Sequence, residues 1–244
     1  MRLTRCHVDL PLRAGTEVVL PERAANHLAR VLRLREGDPC VLFNGDGHDH
    51  AARLLAIGKR EVRAEVLSSS PVHNESPLRI VLVQGIARGE KMDLVLQKAT
   101  ELGVAGIVPV SGERTEVRLD VDRAEKRLSH WRSVVESACE QSGRARVPGV
   151  AAPAALEAAI RSLAGEGLRL LLDPQGEHRL ASLSPPVPAC TWIAIGPEGG
   201  WSPGDRELLR AAGFSGLRLG PRVLRTETAG LAAIAALQAL FGDL

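Results

Sequence analysis

Thr191-Trp192-Ile193-Ala194-Ile195-Gly196-Pro197-Glu198-Gly199-Gly200-Trp201-Ser202-Pro203 is an apolar run, a glycine-rich turn and the start of a helix in one line. Gly216-Leu217-Arg218-Leu219-Gly220-Pro221-Arg222-Val223-Leu224-Arg225-Thr226-Glu227-Thr228-Ala229-Gly230 repeats the plan a few residues on. The first predicts a strand over Thr191–Ile195 and a helix over Pro203–Ala212. The second predicts a strand over Gly216–Leu219 and a helix over Thr226–Phe241. Strands that alternate with helices predict a mainly parallel sheet, and ligands bind such sheets outside the carboxyl ends of the strands. Both turns lie there.

The first turn carries more glycine and proline than a connection needs, with Glu198 enclosed, so it reads as a loop that lets backbone approach a ligand. It is neither GxGxxG nor a Walker loop, which disfavours a dinucleotide or a triphosphate held in the usual way. In the second, Thr226 can cap the helix and Glu227 can favour its positive end. The sharper reading has Arg222 and Arg225 holding an anion or a polarised carbonyl. The helix beyond is apolar nearly all round, with Gln238 its one strongly polar residue, so most of its sides must be covered, by the core or by another subunit.

Working outward, Arg79–Ile86 and Ile107–Val110 read as further strands, as does Leu168–Leu172. Glu90–Leu102, Asp122–Gln141 and Ala154–Leu163 read as helices. Before Ser68 the rhythm differs. Glu17–Leu20, Pro39–Phe43, Ala52–Ile57 and Glu61–Leu67 are short β-runs, and Asn44-Gly45-Asp46-Gly47 is a hairpin turn signal. One helix is expected from Pro21 to Leu34. The polar stretch Ser68–Pro77 reads as a linker, giving domains 1–73 and 74–244.

Composition narrows the function. Of 244 residues, 45% are hydrophobic and 25% charged, enough to build a core without staples. Aromatics are 2%, with three Trp, three Phe and no Tyr, which argues against a ring-lined single-strand platform or carbohydrate groove. Composition leaves room for one local stacking partner, and Trp201, beside Gly200, is the ring to test for it. The net charge of +2 excludes a polybasic binder. Residues 1–73 hold 11 Lys and Arg against 9 Asp and Glu, and the remainder holds 20 of each, a contrast too small to assign a role. Cys6, Cys40, Cys139 and Cys190 form no CxxC pair, so no zinc knuckle or redox dithiol is expected, and His48 and His50 read as a hairpin tip rather than a metal pair. Arg2 and Arg5 precede no apolar run and Ala229–Phe241 is too short to span a bilayer, so a cytoplasmic protein is expected. Ser202 is not in GxSxG.

Several further segments match one family. They are Ala24-Ala25-Asn26-His27-Leu28-Ala29-Arg30-Val31-Leu32-Arg33, Arg88-Gly89-Glu90-Lys91-Met92, Gln97–Val104, Glu113-Arg114 and Ala138-Cys139-Glu140-Gln141-Ser142-Gly143-Arg144. With Gly196–Gly200 and Leu219–Ala229 they resemble the RsmE family of ribosomal RNA small-subunit methyltransferases, which act on uridine N3 and belong to the SPOUT superfamily. Ser142-Gly143 stands where the family often has Cys-Gly, which argues that no cysteine chemistry is needed there.

The resemblance implies an N-terminal PUA-like β-barrel for RNA binding and a C-terminal SPOUT methyltransferase domain with a trefoil knot, in a homodimer that needs no metal. It implies S-adenosylmethionine held by Leu172, Gly196, Pro197, Glu198, Gly199, Gly200, Leu219, Gly220, Leu224, Arg225 and Thr226. It also implies 16S ribosomal RNA, probed by His27, Arg30, Arg33, Arg88, Lys91, Arg114 and Arg144. Uridine N3 is a poor nucleophile until its proton leaves. The expected catalytic set is therefore Arg225, stabilising charge on a uracil oxygen, with Glu198 or Glu227 orienting or accepting the proton. A helix N-terminal charge is an equally good reading of Glu227. Two other classes stand against this one: a dehydrogenase, disfavoured by the missing GxGxxG, and a non-catalytic RNA-binding module.

Overall fold

A computed structural model describes residues 3–58, 60–116, 121–163, 165–186 and 189–244. Met1 and Arg2, the expected start of the first domain, lie outside them. The chain forms two units, one of residues 1–75 with 136–147, the other of residues 76–135 with 148–244.

The first unit holds strands β1 (Arg5–His7), β2 (Glu17–Val19), β3 (Pro39–Phe43), β4 (His48–Ile57) and β5 (Val62–Pro71). They form a mixed sheet in the order β1-β3-β4-β5-β2, in which only β1 and β3 run parallel. Leu28, Leu42, Leu54, Ala64 and Val66 are fully buried in its core. The expected helix from Pro21 to Leu34 is broken. α1 (Glu22–Ala25) passes into a π-helix over Asn26–Val31, closed by Leu32 N–H donating to the His27 carbonyl, and Arg33 then takes a left-handed φ of 57°. The apolar spacing there gave no sign of this, because a π-turn changes the hydrogen-bond register without changing residue type. The expected linker starts too early: Ser68–Pro71 continues β5 opposite His48–Ala51. Strand pairing uses backbone groups, so exposed serines extend a strand whose partner is present.

The second unit is an eight-stranded sheet. Its members are β6 (Arg79–Gly85), β7 (Gly106–Ser111), β8 (Gly149–Val150), β9 (Ala154–Ala155), β10 (Leu168–Leu172), β11 (His178–Arg179), β12 (Cys190–Ile195) and β13 (Ser215–Arg218). The order is β11-β13-β10-β12-β6-β7-β8, with β9 also against β7, and every pairing is parallel. β6 and β12, at the centre, are apolar almost without interruption because both faces are covered. The helices are α2 (Glu90–Glu101), α3 (Val121–Ser142), α4 (Leu156–Ser162), α5 (Pro203–Ala211) and α6 (Thr226–Phe241). The end of α3, from Glu136 on, belongs to the first unit. α6 packs on α2, β6 and β12, which accounts for its nearly uniform apolar surface. Gln238 is fully buried and is satisfied by the Ser76 hydroxyl and the Leu102 carbonyl.

Candidate active site

The site is built where β12, β13 and β10 end. The chain leaves β12 at Gly196 and packs its loop onto the end of β6. A Cβ on Gly85 would sit 2.4 Å from Pro197 N, so only glycine permits this approach. Gly85→Ala is expected to displace the 196–200 loop, cost about 1–3 kcal/mol of stability and weaken cofactor binding at least tenfold. Thermal unfolding and calorimetry check both.

Three further ties hold the loop. Ser202 and Asp205 form a reciprocal cap at the start of α5, with Ser202 Oγ accepting from Asp205 N–H at 3.0 Å and Asp205 accepting from Ser202 N–H at 3.1 Å. The buried Asp205 carboxylate also accepts from Glu113 N–H. Arg114 donates to the Gly199 carbonyl at 3.3 Å. Finally, Glu198 accepts from Arg88 N–H at 3.1 Å and from Lys91 Nζ at 3.3 Å.

The second loop is tied to the first through Thr226. Thr226 has the residue type of a helix cap, but Arg225 occupies that position and makes no side-chain cap bond. Thr226 is buried at the first helical position. Its hydroxyl donates to the Gly196 carbonyl at 2.6 Å and accepts from Gln84 Nε2 at 3.0 Å. Gln84, missed in the sequence because it sits within an apolar strand, thus joins β6, β12 and α6 at one point.

Between the loops lies a cavity of about 390 Å³, within the range of sites that take cofactor-sized molecules. Leu172, Gly196, Pro197, Glu198, Gly200, Leu219, Gly220, Leu224, Arg225 and Thr226 all line it, as do Glu227 and Lys91. Gly199 does not line it and contributes only its carbonyl to Arg114. Also in the lining are Ile195, Trp201, Arg206, Leu217 and Asp173. Arg206 pairs with the buried Asp173 at 3.6 Å, a contact that sequence spacing could not reveal. Gly200 has a φ of +66° and open space where its Cβ would be, so the backbone itself forms wall.

Three buried polar atoms in this lining lack hydrogen-bond partners: the Trp201 indole N–H and the Arg206 Nε–H, which can only donate, and Glu227 Oε2, which accepts when ionised. Burying such groups unpaired is costly, so a ligand with both donors and acceptors fits the cavity. An adenosyl cofactor with a carboxylate tail, placed beside a base with an N–H edge, meets both demands. Trp201, the ring to test as a stacking partner, is only 3% exposed and packs in the core with Trp192, Leu209 and Phe214, so its faces are not open to a base.

The two candidate carboxylates differ. Partial burial of Glu198 opposes its ionisation. Hydrogen bonds from Arg88 N–H and its own backbone, with the Lys91 ammonium, outweigh that and hold its carboxyl below the ordinary value. Glu198 is therefore a weak base and a good anchor. Because the shift is downward, its stabilisation is complete above the unfolded value and is lost only as pH falls through the lowered folded value. Cofactor affinity in the wild type is thus expected to hold to mildly acid pH, and Glu198→Gln to weaken it several-fold at neutral pH, both read by calorimetry. Among the described residues, Arg222 and Arg225 make no ion pair, and both are exposed beside the cavity.

Of the remaining expected RNA contacts, Arg88 pairs with Glu116 and Arg114 reaches Gly199, both at the rim of the first loop. Arg30 and Arg33 are exposed and His27 is half-buried in the first unit. Arg144 is 5% exposed and grips Glu75 through two hydrogen bonds of 3.0 and 2.5 Å, a structural position. All four cysteines are free and buried, and burial pushes Cys6 and Cys139 up to about 12. Among the described residues no group of His, Cys, Asp or Glu is placed to hold a metal, and no helix is long and apolar enough to cross a membrane.

A family model described as an RNA methyltransferase domain matches residues 74–238, and one described as an RNA methyltransferase PUA domain matches residues 20–67. The fold and site are thus those of an RNA methyltransferase domain joined to a PUA domain. Ribosomal RNA small subunit methyltransferase E of Buchnera aphidicola is 32% identical, over 100% of this chain and 98% of its own. The protein of that name from Mycobacterium tuberculosis is 32% identical, over 96% of this chain and 90% of its own. The solved ribosomal RNA small subunit methyltransferase E of Neisseria gonorrhoeae, bound to S-adenosyl methionine, is 41% identical, covers 100% of both chains and superposes with a TM-score of 0.91. A methyltransferase from Legionella pneumophila with SAM bound is 38% identical, also covers 100% of both chains and has a TM-score of 0.94. The chain belongs to the ribosomal RNA small subunit methyltransferase E family.

Proposed function

We propose that this chain transfers the methyl group of S-adenosylmethionine to N3 of a specific uridine in 16S ribosomal RNA. The observation that carries the reading is the cavity between loops 196–200 and 219–226, lined by the unpartnered Trp201 N–H and Glu227 Oε2 together with Arg225. The backbone of Gly196, Gly200, Leu219 and Leu224 would hold the cofactor, with the indole N–H available to its carboxylate. When bound, the cofactor supplies an electrophilic methyl group on a sulfonium centre. Arg225 stabilises the negative charge that grows on a uracil oxygen. Glu227 takes the N3 proton, because Glu198 is engaged by Lys91 and weakly basic. The tied loops fix the geometry that an in-line transfer requires.

The proposal extends to domain roles: RNA binding by residues 1–73, methyl transfer by 74–244, in a cytoplasmic homodimer that uses no metal. The return of α6 from β13, beyond β10, to β12 and β6 supports a trefoil knot around the two loops. RNA contacts are assigned to His27, Arg30, Arg33, Arg88, Lys91 and Arg114, with Arg144 fixing the segment around Glu75. Arg30 and Arg33 changed together to Ala should lower the slope of log affinity against log salt by about 1.5. An unchanged slope removes them from the interface. Transfer of tritiated methyl to small subunits lacking the modification tests the function. Its absence at saturating cofactor would sink the reading, and binding without transfer would favour the non-catalytic module.

A further inference from the structure

The first unit has a cavity of its own, about 350 Å³, that the methyl-transfer chemistry does not use. One wall is the π-helix, through Asn26, His27 and Val31, and another is the end of α3, through Ser137 and Glu140. Cys6, His7 and Arg23 complete the lining. A π-turn followed by a left-handed arginine is an expensive local conformation of the kind found at functional sites. Val31, 68% exposed, leaves an apolar side chain at the mouth.

The polar groups select the occupant. Arg23 is engaged by Glu136, and so is His7, whose Nδ1 lies 3.6 Å from the same carboxylate. Glu140 takes hydrogen bonds from His7 N–H at 2.9 Å and from the Cys6 thiol, and a carboxylate with two oxygens has room for more donors. Two carboxylates offset the arginine, so a phosphate is disfavoured. A flat group with N–H donors on its edge and a π-face is favoured, which describes a base turned out of an RNA strand. Two imidazoles line the cavity; with His7 held beside Glu136, that of His27 is the ring left to cover that face.

We propose that this pocket takes one unpaired guanine of the substrate RNA, its N–H edge on Glu140 and Asn26 and its face against His27. Guanine alone among the four bases presents adjacent ring and amino N–H donors to a carboxylate. The inference rests on the proposed action on RNA and adds a sequence-reading site separate from the methyl-transfer cavity.

The test uses the full chain and the pentanucleotides UUGUU, UUAUU, UUCUU and UUUUU. Affinities are measured and histidine ring resonances followed by NMR, with His27 assigned from His27→Gln. UUGUU should bind about tenfold more tightly than the others and move the His27 resonances. Glu140→Gln, which keeps the shape and an acceptor for His7, should reduce the preference to under twofold. Equal affinities, still His27 resonances, or an undiminished preference in Glu140→Gln would each overturn the proposal. Methyl transfer to small subunits is assayed in parallel. Transfer with a silent pocket defeats only this inference, whereas no transfer defeats the functional reading beneath it.

Discussion

Arg225→Ala is expected to lower the methyl-transfer rate at saturating RNA and cofactor by about 10²- to 10³-fold, the usual effect of losing one group that stabilises a developing anion. The fold should tolerate the change. The Arg225 side chain is exposed, and its carbonyl, which accepts from Thr228 and Ala229 N–H, survives substitution. A group that acts only on developing charge changes kcat and leaves cofactor affinity nearly constant. Arg225→Lys should recover part of the rate, since a point charge remains while the planar fork is lost. A rate equal to wild type in the alanine variant would remove Arg225 from the chemistry.

Glu227→Gln should cost about 10²- to 10⁴-fold, the range spanned by general-base catalysis. The amide keeps the size of the side chain but cannot take the uridine proton. The pH profile separates this role from a helix N-terminal charge. The deficit should narrow toward alkaline pH, where uridine N3 loses its proton to solvent unaided. A charge that served α6 alone would instead show as about 0.3–1 kcal/mol of stability at nearly full rate. Chemical denaturation beside single-turnover rates distinguishes the two.

Much of the second unit was legible because its signals are local. Leu168–Leu172 and Thr226–Phe241 have the expected bounds, since a short apolar run between turns and a long apolar run after Thr-Glu-Thr each have one ready reading. The strands β1, β8, β9 and β11, of two or three residues, escaped notice because such lengths carry no periodicity. Ala154-Ala155 was absorbed into a helix for the same reason: alanine favours helix, but these two pair with Val110 and Ser111. Of the expected cofactor set, all but Gly199 line the cavity, because turn glycines at strand ends carry a positional meaning that survives without coordinates.

The sequence by itself determined where strands pass into helices and which two turns lie at the carboxyl ends of a parallel sheet. Spacing and turn chemistry act between near neighbours and can be read there. Only the tertiary structure decided which side chains those turns leave available. It engaged Glu198 with Lys91, buried Arg144 against Glu75, and turned Thr226 from a cap into the bridge between Gly196 and Gln84. It also brought the Trp201 N–H and Glu227 Oε2, from separate loops, into one cavity without partners. Those outcomes depend on β13, β10, β12 and β6 lying side by side out of chain order, and a side chain's partner is set by the strand beside it in space.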